Sequence, residues 1–145
     1  MNTYVTKLVE EAKESSYKLA RLSSPQKDKA LRAMAKALLA ECDYILRENK
    51  KDLREAAQKK LQASFIERLT LTEQRVAEMS ISLQEVAALE DPVGAVISRR
   101  RRPNGIELWK VRVPIGVVLI VYEARPNVTS DCAGLLFKTS NVGIL

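Results

Sequence analysis

Histidine is absent from this chain of 145 residues, and cysteine occurs only at Cys42 and Cys132. Without histidine, neither a Ser-His-Asp triad nor a His-ligated zinc site can be assembled. Two cysteines far apart in sequence match neither a metal knuckle nor a disulfide framework. We therefore expect no metal and a reduced, cytoplasmic setting. No apolar run approaches the roughly 20 residues of a membrane span, and no charged start leads into an apolar core as in a signal peptide. The phosphate-binding fingerprint G-x-G-x-x-G is also missing: Gly116, Gly134 and Gly143 stand alone. That excludes a nucleotide site of the ordinary glycine-loop kind.

What remains is the composition of a soluble globular protein, 46% hydrophobic and 29% charged, in which a real core can be buried. The net charge of +6 is uneven, with +2 on residues 1–90 and +4 on residues 91–145. Four of the basic residues in the second part form the run Arg99 to Arg102. Such a run invites a nucleic-acid reading. Trp109 is its only aromatic neighbour and no recognition motif accompanies it, so an exposed strand is the better reading and no nucleic-acid partner is expected.

The first ninety residues carry helical spacing. Val5, Leu8, Ala12, Leu19 and Leu22 keep to one face, then Leu31, Met34, Ala35, Leu38 and Cys42. Ser24 before Pro25 offers a helix start. A more polar third segment, from about Cys42 to Lys60, turns Ile45, Leu46, Leu53, Ala56 and Ala57 inward. Thr70 and Glu73 have capping-box spacing, and Val76, Met79, Leu83 and Val86 follow as an apolar stripe. At Asp91-Pro92-Val93-Gly94 the helical pattern stops. Two extended arms flank Asn104-Gly105, which suits a tight hairpin turn.

Then comes the one long apolar run, Val117 to Val121, rich in β-branched residues and introduced by Pro114 and Gly116. It predicts a strand buried on both faces, as in parallel sheets covered by helices. Thr129, Ser130 and Asp131 offer caps for a short helix over Cys132 to Lys138, and Val142 to Leu145 begin a second strand. Gly143 inside that strand is expected to weaken it. Strand, helix and strand make a βαβ unit, and ligands in such sheets gather just beyond the strands' carboxyl ends. Here that position holds Tyr122, Glu123, Ala124, Arg125, Pro126 and Asn127.

Three stretches, ERLTLTEQRVAEM from Glu67, LEDPVGAVISRRRRPNGIELWKVRVP from Leu89 and VPIGVVLIVYEARPNVTSD from Val113, resemble in order the signatures of gamma-glutamyl phosphate reductase. That family, also called glutamate-5-semialdehyde dehydrogenase, serves proline biosynthesis and belongs to the aldehyde dehydrogenase superfamily. The resemblance covers almost all of this chain but only about the first third of family members. It implies a truncated α/β fold: an N-terminal helical part (1–90), a β-hairpin (91–113) bridging subunits of a homo-oligomer, and the start of an NADP-binding, Rossmann-like parallel sheet (114–145). It further implies NADPH-dependent reduction of gamma-glutamyl phosphate by way of a cysteine nucleophile beyond Leu145.

By the same resemblance Tyr122, Glu123 and Ala124 bind NADP(H), Arg125 binds substrate, and Asn127 donates its amide to the developing oxyanion. The residues themselves leave alternatives open. Asn127 could cap the following helix, Arg125 could pair with Glu123 or Asp131, and Tyr122 could end a core strand. Cys132 and Cys42 lie on apolar stretches without an activating neighbour and are read as inert thiols. Two rival functions stand beside the enzyme: a non-catalytic helical dimerisation or regulatory fragment, and a small basic nucleic-acid-binding domain.

Overall fold

The amphipathic spacing folds into a helical layer that shares its core with the start of a parallel sheet. The structure, a computed structural model, describes residues 3–123 and 125–145. The helices are α1 (Thr3–Leu19), α2 (Ser24–Ala40), α3 (Cys42–Gln58), α4 (Ala63–Leu69), α5 (Glu73–Ala88) and α6 (Pro126–Lys138). The strands are β1 (Val96–Arg101), β2 (Glu107–Val111), β3 (Val117–Leu119) and β4 (Val142–Ile144). Leu31 and Ala35 of α2 meet Leu83, Val86 and Ala87 of α5, and Met34, Leu38 and Phe137 pack around them. Phe137 comes from α6, so residues 114–145 and 1–90 contribute to one core.

Leu83 is 1% exposed, as the apolar stripe predicted. Leu83→Ala should lower stability by about 2–5 kcal/mol, read from urea unfolding. An unchanged midpoint would mean that the site collapses freely around the missing side chain.

Helix ends differ from the sequence reading in instructive ways. α2 is capped by Ser23 rather than Ser24, with the Ser23 amide donating to Gln26 Oε1 at 2.9 Å. α5 is capped by Thr72, whose hydroxyl oxygen accepts from the Arg75 amide at 3.2 Å. Thr70 instead donates to the Ile66 carbonyl at 2.7 Å and closes α4. That short helix has too few residues to show a period in sequence. α6 begins at Pro126, ahead of the expected caps Thr129, Ser130 and Asp131. Proline is well placed there because its missing amide hydrogen would have had no helical partner. Val5 and Ala57, expected inward, are exposed; α1 buries only its later residues Ala12, Ser16 and Leu19.

β1 and β2 pair antiparallel, Arg99 opposite Trp109. Their turn is a Pro103-Asn104 corner closed by the Gly105 amide on the Arg102 carbonyl at 2.9 Å. Gly105 has φ 86°, a left-handed conformation that glycine adopts without steric cost. All of the two strands except Ser98 is exposed. The Arg99 guanidinium lies 3.6 Å from the centre of the Trp109 ring, so at least one arginine of the basic run is held by a cation–π contact.

β3 and β4 run parallel on either side of α6, Val117 opposite Val142 and Leu119 opposite Ile144. Burial on both faces, expected for Val117 to Val121, is not observed: Leu119 is 67% and Val121 89% exposed. Double-sided burial needs cover on each face and neighbours on each edge. Among the described residues β3 has a single neighbouring strand. At Gly143 an added Cβ would sit 2.6 Å from Leu136 Cδ1, so a side chain there would require Leu136 of α6 to move.

Two lysines lie inside this assembly. Lys27 is 1% exposed; its ammonium pairs with Asp91 and donates to the Lys138 carbonyl at 3.0 Å and to Ser140 Oγ at 2.9 Å. Lys138 pairs with Asp28 and donates to the Ala87 carbonyl at 3.0 Å. The pins join α2 to the end of α6 and to the α5–β1 linker. Ser140 has φ 57°, unusual for a residue with a side chain, and its hydroxyl is one of the groups that Lys27 requires.

Candidate functional site

The segment after β3 packs across α4 and α5 and closes a cleft of about 410 Å³. Arg125, Pro126, Asn127 and Asp131 line one side, and Arg68, Arg75, Glu78 and Ser82 line the other. The second wall is held rigidly. Asn49, buried in α3, donates to the Leu69 carbonyl and accepts from the Leu71 amide, both at 2.9 Å, fixing the α4–α5 linker. Arg75 donates to the Glu67 carbonyl at 2.8 Å and to the Thr70 carbonyl, so its charge braces the same linker.

In the segment that leads to the first wall, Tyr122 and Thr129 share a hydrogen bond of 2.6 Å between their hydroxyls. Glu123 Oε2 pairs with Arg68 Nη1 at 2.6 Å. Asn127 lies within the first turn of α6, and its amide reaches Asp131 Oδ2 at 3.4 Å. Asp131 is itself steadied by Ser82, which donates to Oδ1 at 3.0 Å. The arrangement supplies an amide donor and several guanidinium groups around one cleft, the equipment for binding an oxyanion and stabilising charge that develops on it.

This fold also occurs in solved enzymes. Gamma-glutamyl phosphate reductase from Thermotoga maritima superposes with a TM-score of 0.88 at 34% identity, over 92% of this chain and 32% of that protein. The Saccharomyces cerevisiae enzyme of the same name superposes with a TM-score of 0.90 at 32% identity, over 96% and 35%. In sequence, gamma-glutamyl phosphate reductase of Carboxydothermus hydrogenoformans is 51% identical over 141 residues, 97% of this chain and 34% of that one. The chain is a homologue of the N-terminal part of gamma-glutamyl phosphate reductase. It spans about a third of the length of the reductases it matches. No protein-family model matches the chain. The α/β fold expected from the resemblance, a partial aldehyde dehydrogenase-like fold, is the one these reductase structures share.

Within this reductase-like part, the structure gathers some of the anticipated residues and adds others. Arg125 and Asn127 both line the cleft. Among the described residues Arg125 makes no ion pair; Glu123 pairs with Arg68, and Asp131 bonds Ser82 and Asn127. Tyr122 and Glu123 do not line the cleft, Glu123 being joined to it through Arg68, and Ala124 lies outside the described residues. Arg68 and Arg75 escaped the sequence reading although both sit in ERLTLTEQRVAEM. Seven residues apart, they would share a face of one helix, but a helix break falls between them. Cys42 and Cys132 are half-buried and do not line the cleft. Among the described residues no three His, Cys, Asp or Glu side chains gather as a metal site requires, and no helix is long and apolar enough to cross a membrane.

Proposed function

We propose that this chain forms the N-terminal part of a cytoplasmic enzyme reducing gamma-glutamyl phosphate to glutamate-5-semialdehyde with NADPH. The observation that carries the reading is the convergence of Asn127 and Arg125 on one arginine-lined cleft, in a chain about half identical to reductases of that name. Asn127 is the oxyanion donor: among the described residues its amide has one long partner, which leaves it available to charge that develops on a substrate carbonyl oxygen. Arg125 holds the phosphate or carboxylate of the substrate through its planar fork. Tyr122, Glu123 and Ala124 contribute to the NADP(H) site. Its location just past the carboxyl end of β3 suits such a ligand, and the exposure of Val121 leaves room for a flat ring. When bound, the cofactor supplies hydride. The thiol nucleophile comes from residues other than these 145.

The exposed apolar residues of the hairpin, Val96, Ile97, Ile106, Leu108 and Trp109 among them, support its proposed role in joining copies of the chain. The decisive comparison is between the 145 residues alone and the same residues fused to the remaining two thirds of the C. hydrogenoformans reductase. The fusion should oxidise glutamate-5-semialdehyde with phosphate and NADP, and should sediment as an oligomer; the chain alone should show no turnover. Activity of the chain alone that disappears in Cys132→Ser would place the nucleophile here and overturn the assignment.

A further inference from the structure

We infer that Glu123 is a placeholder on Arg68: a ligand's phosphate or carboxylate group takes its position, and Arg125 provides the second cation. The inference rests on the cleft being the substrate site and names how that site takes an anion. Arg68 is anchored by its Nε, which donates to the Ser64 carbonyl at 3.1 Å. Arg68 lines the cleft, and among the described residues its Nη1 bonds Glu123. The Glu123 side chain is 63% exposed, and an exposed ion pair contributes little net stability because water competes for both ends. Exchanging that carboxylate for another oxyanion therefore costs little.

Arg125, two residues on, is tied to Glu123 through the backbone: its amide donates to the Glu123 carbonyl at 2.7 Å. The Glu123 carboxylate can leave Arg68 by side-chain rotation while this backbone bond keeps Arg125 in place. The acidic groups on the cleft wall do not compete for these guanidinium groups. Glu78 accepts from Gln74, and Asp131 is bonded to Ser82 and Asn127. An oxyanion bridging Arg68 and Arg125 would gain charge-assisted bonds from both.

The test titrates the 145-residue chain with inorganic phosphate and, separately, with glutarate, at low ionic strength, following amide shifts by NMR. Arg68→Gln and Arg125→Gln should each weaken binding about tenfold or more. Glu123→Gln should tighten it, because the incoming anion no longer has a competitor. That gain is the outcome a purely structural ion pair would not produce. It also keeps the test decisive should an arginine variant fail to fold. Phosphate alone following this pattern identifies a phosphate subsite, glutarate alone a carboxylate subsite, and both a shared one. Absence of binding by either anion, or weaker binding in a folded Glu123→Gln, overturns the inference. The reductase assignment is judged separately by turnover of the fusion, so either idea can fail without the other.

Discussion

Asn127→Ala in the fused, full-length enzyme should lower kcat by about 10²–10³-fold, the loss typical of a single oxyanion donor. The interaction exists mainly in the transition state, so KM for gamma-glutamyl phosphate should change little. The alternative role, a helix cap, makes the opposite prediction. Asn127 lies inside the first turn of α6, whose capping position is Arg125 and lacks a side-chain bond. The melting temperature should therefore hold. A variant with normal kcat and a lowered melting temperature would sink the oxyanion assignment. Arg125→Lys is the matched control. It keeps the charge but loses the bidentate fork, and should raise substrate KM while leaving cofactor KM unchanged.

The largest effect on stability is expected at Asp91. Asp91→Ala leaves the Lys27 ammonium inside the protein without its counter-ion, and unpairing a buried charge costs about 3–5 kcal/mol. Urea unfolding should read this as a lower midpoint at constant slope. Adding Lys27→Met should recover part of the loss, since the stranded charge is then gone; strict additivity of the two changes would show that they do not interact. Burial is the largest single influence on the Asp91 carboxyl and pushes its pKa up. Hydrogen bonds from Lys27 and the Val93 amide, together with the charges of Lys27 and Lys138, outweigh it and leave the pKa below the ordinary aspartate range. A lowered folded-state pKa contributes stability that is complete above the unfolded-state value and lost as pH falls through the folded one. Asp91→Asn should accordingly flatten part of the acid limb of the stability profile.

How much of this was legible in the sequence depended on whether a pattern was local. Val76, Met79, Leu83 and Val86 recur at helical spacing, and their burial followed. The βαβ unit was visible because its strands are apolar runs and its helix lies between turn residues. Lys27 and Lys138 were not visible: within an amphipathic helix a lysine reads as solvent face, and their counter-ions and acceptors lie in distant parts of the chain. Asn49 was missed for the same reason, a polar residue in a polar helix whose partners are backbone groups of a later linker. In the cleft, Arg125 and Asn127 could be singled out because they follow a strand. Arg68 and Arg75 reach the same space from another wall, which only the packing of α5 against α6 and the Arg68–Glu123 contact reveal. The burial of Val117 to Val121 was over-read, because composition reports what a strand could bury, not what stands beside it.

The Lys27 pin also sets an order of events during synthesis. Ser140, one of its acceptors, lies 113 residues downstream, so a ribosome adding about 5–20 residues per second needs about 6–23 s to bring it out after Lys27. Throughout that interval α1 to α5 can form, yet the ammonium they would enclose lacks its full set of acceptors, and an incompletely bonded charge resists leaving water. Full closure of the helical layer around Lys27 is therefore expected only once Lys138 and Ser140, at and just past the end of α6, have been made.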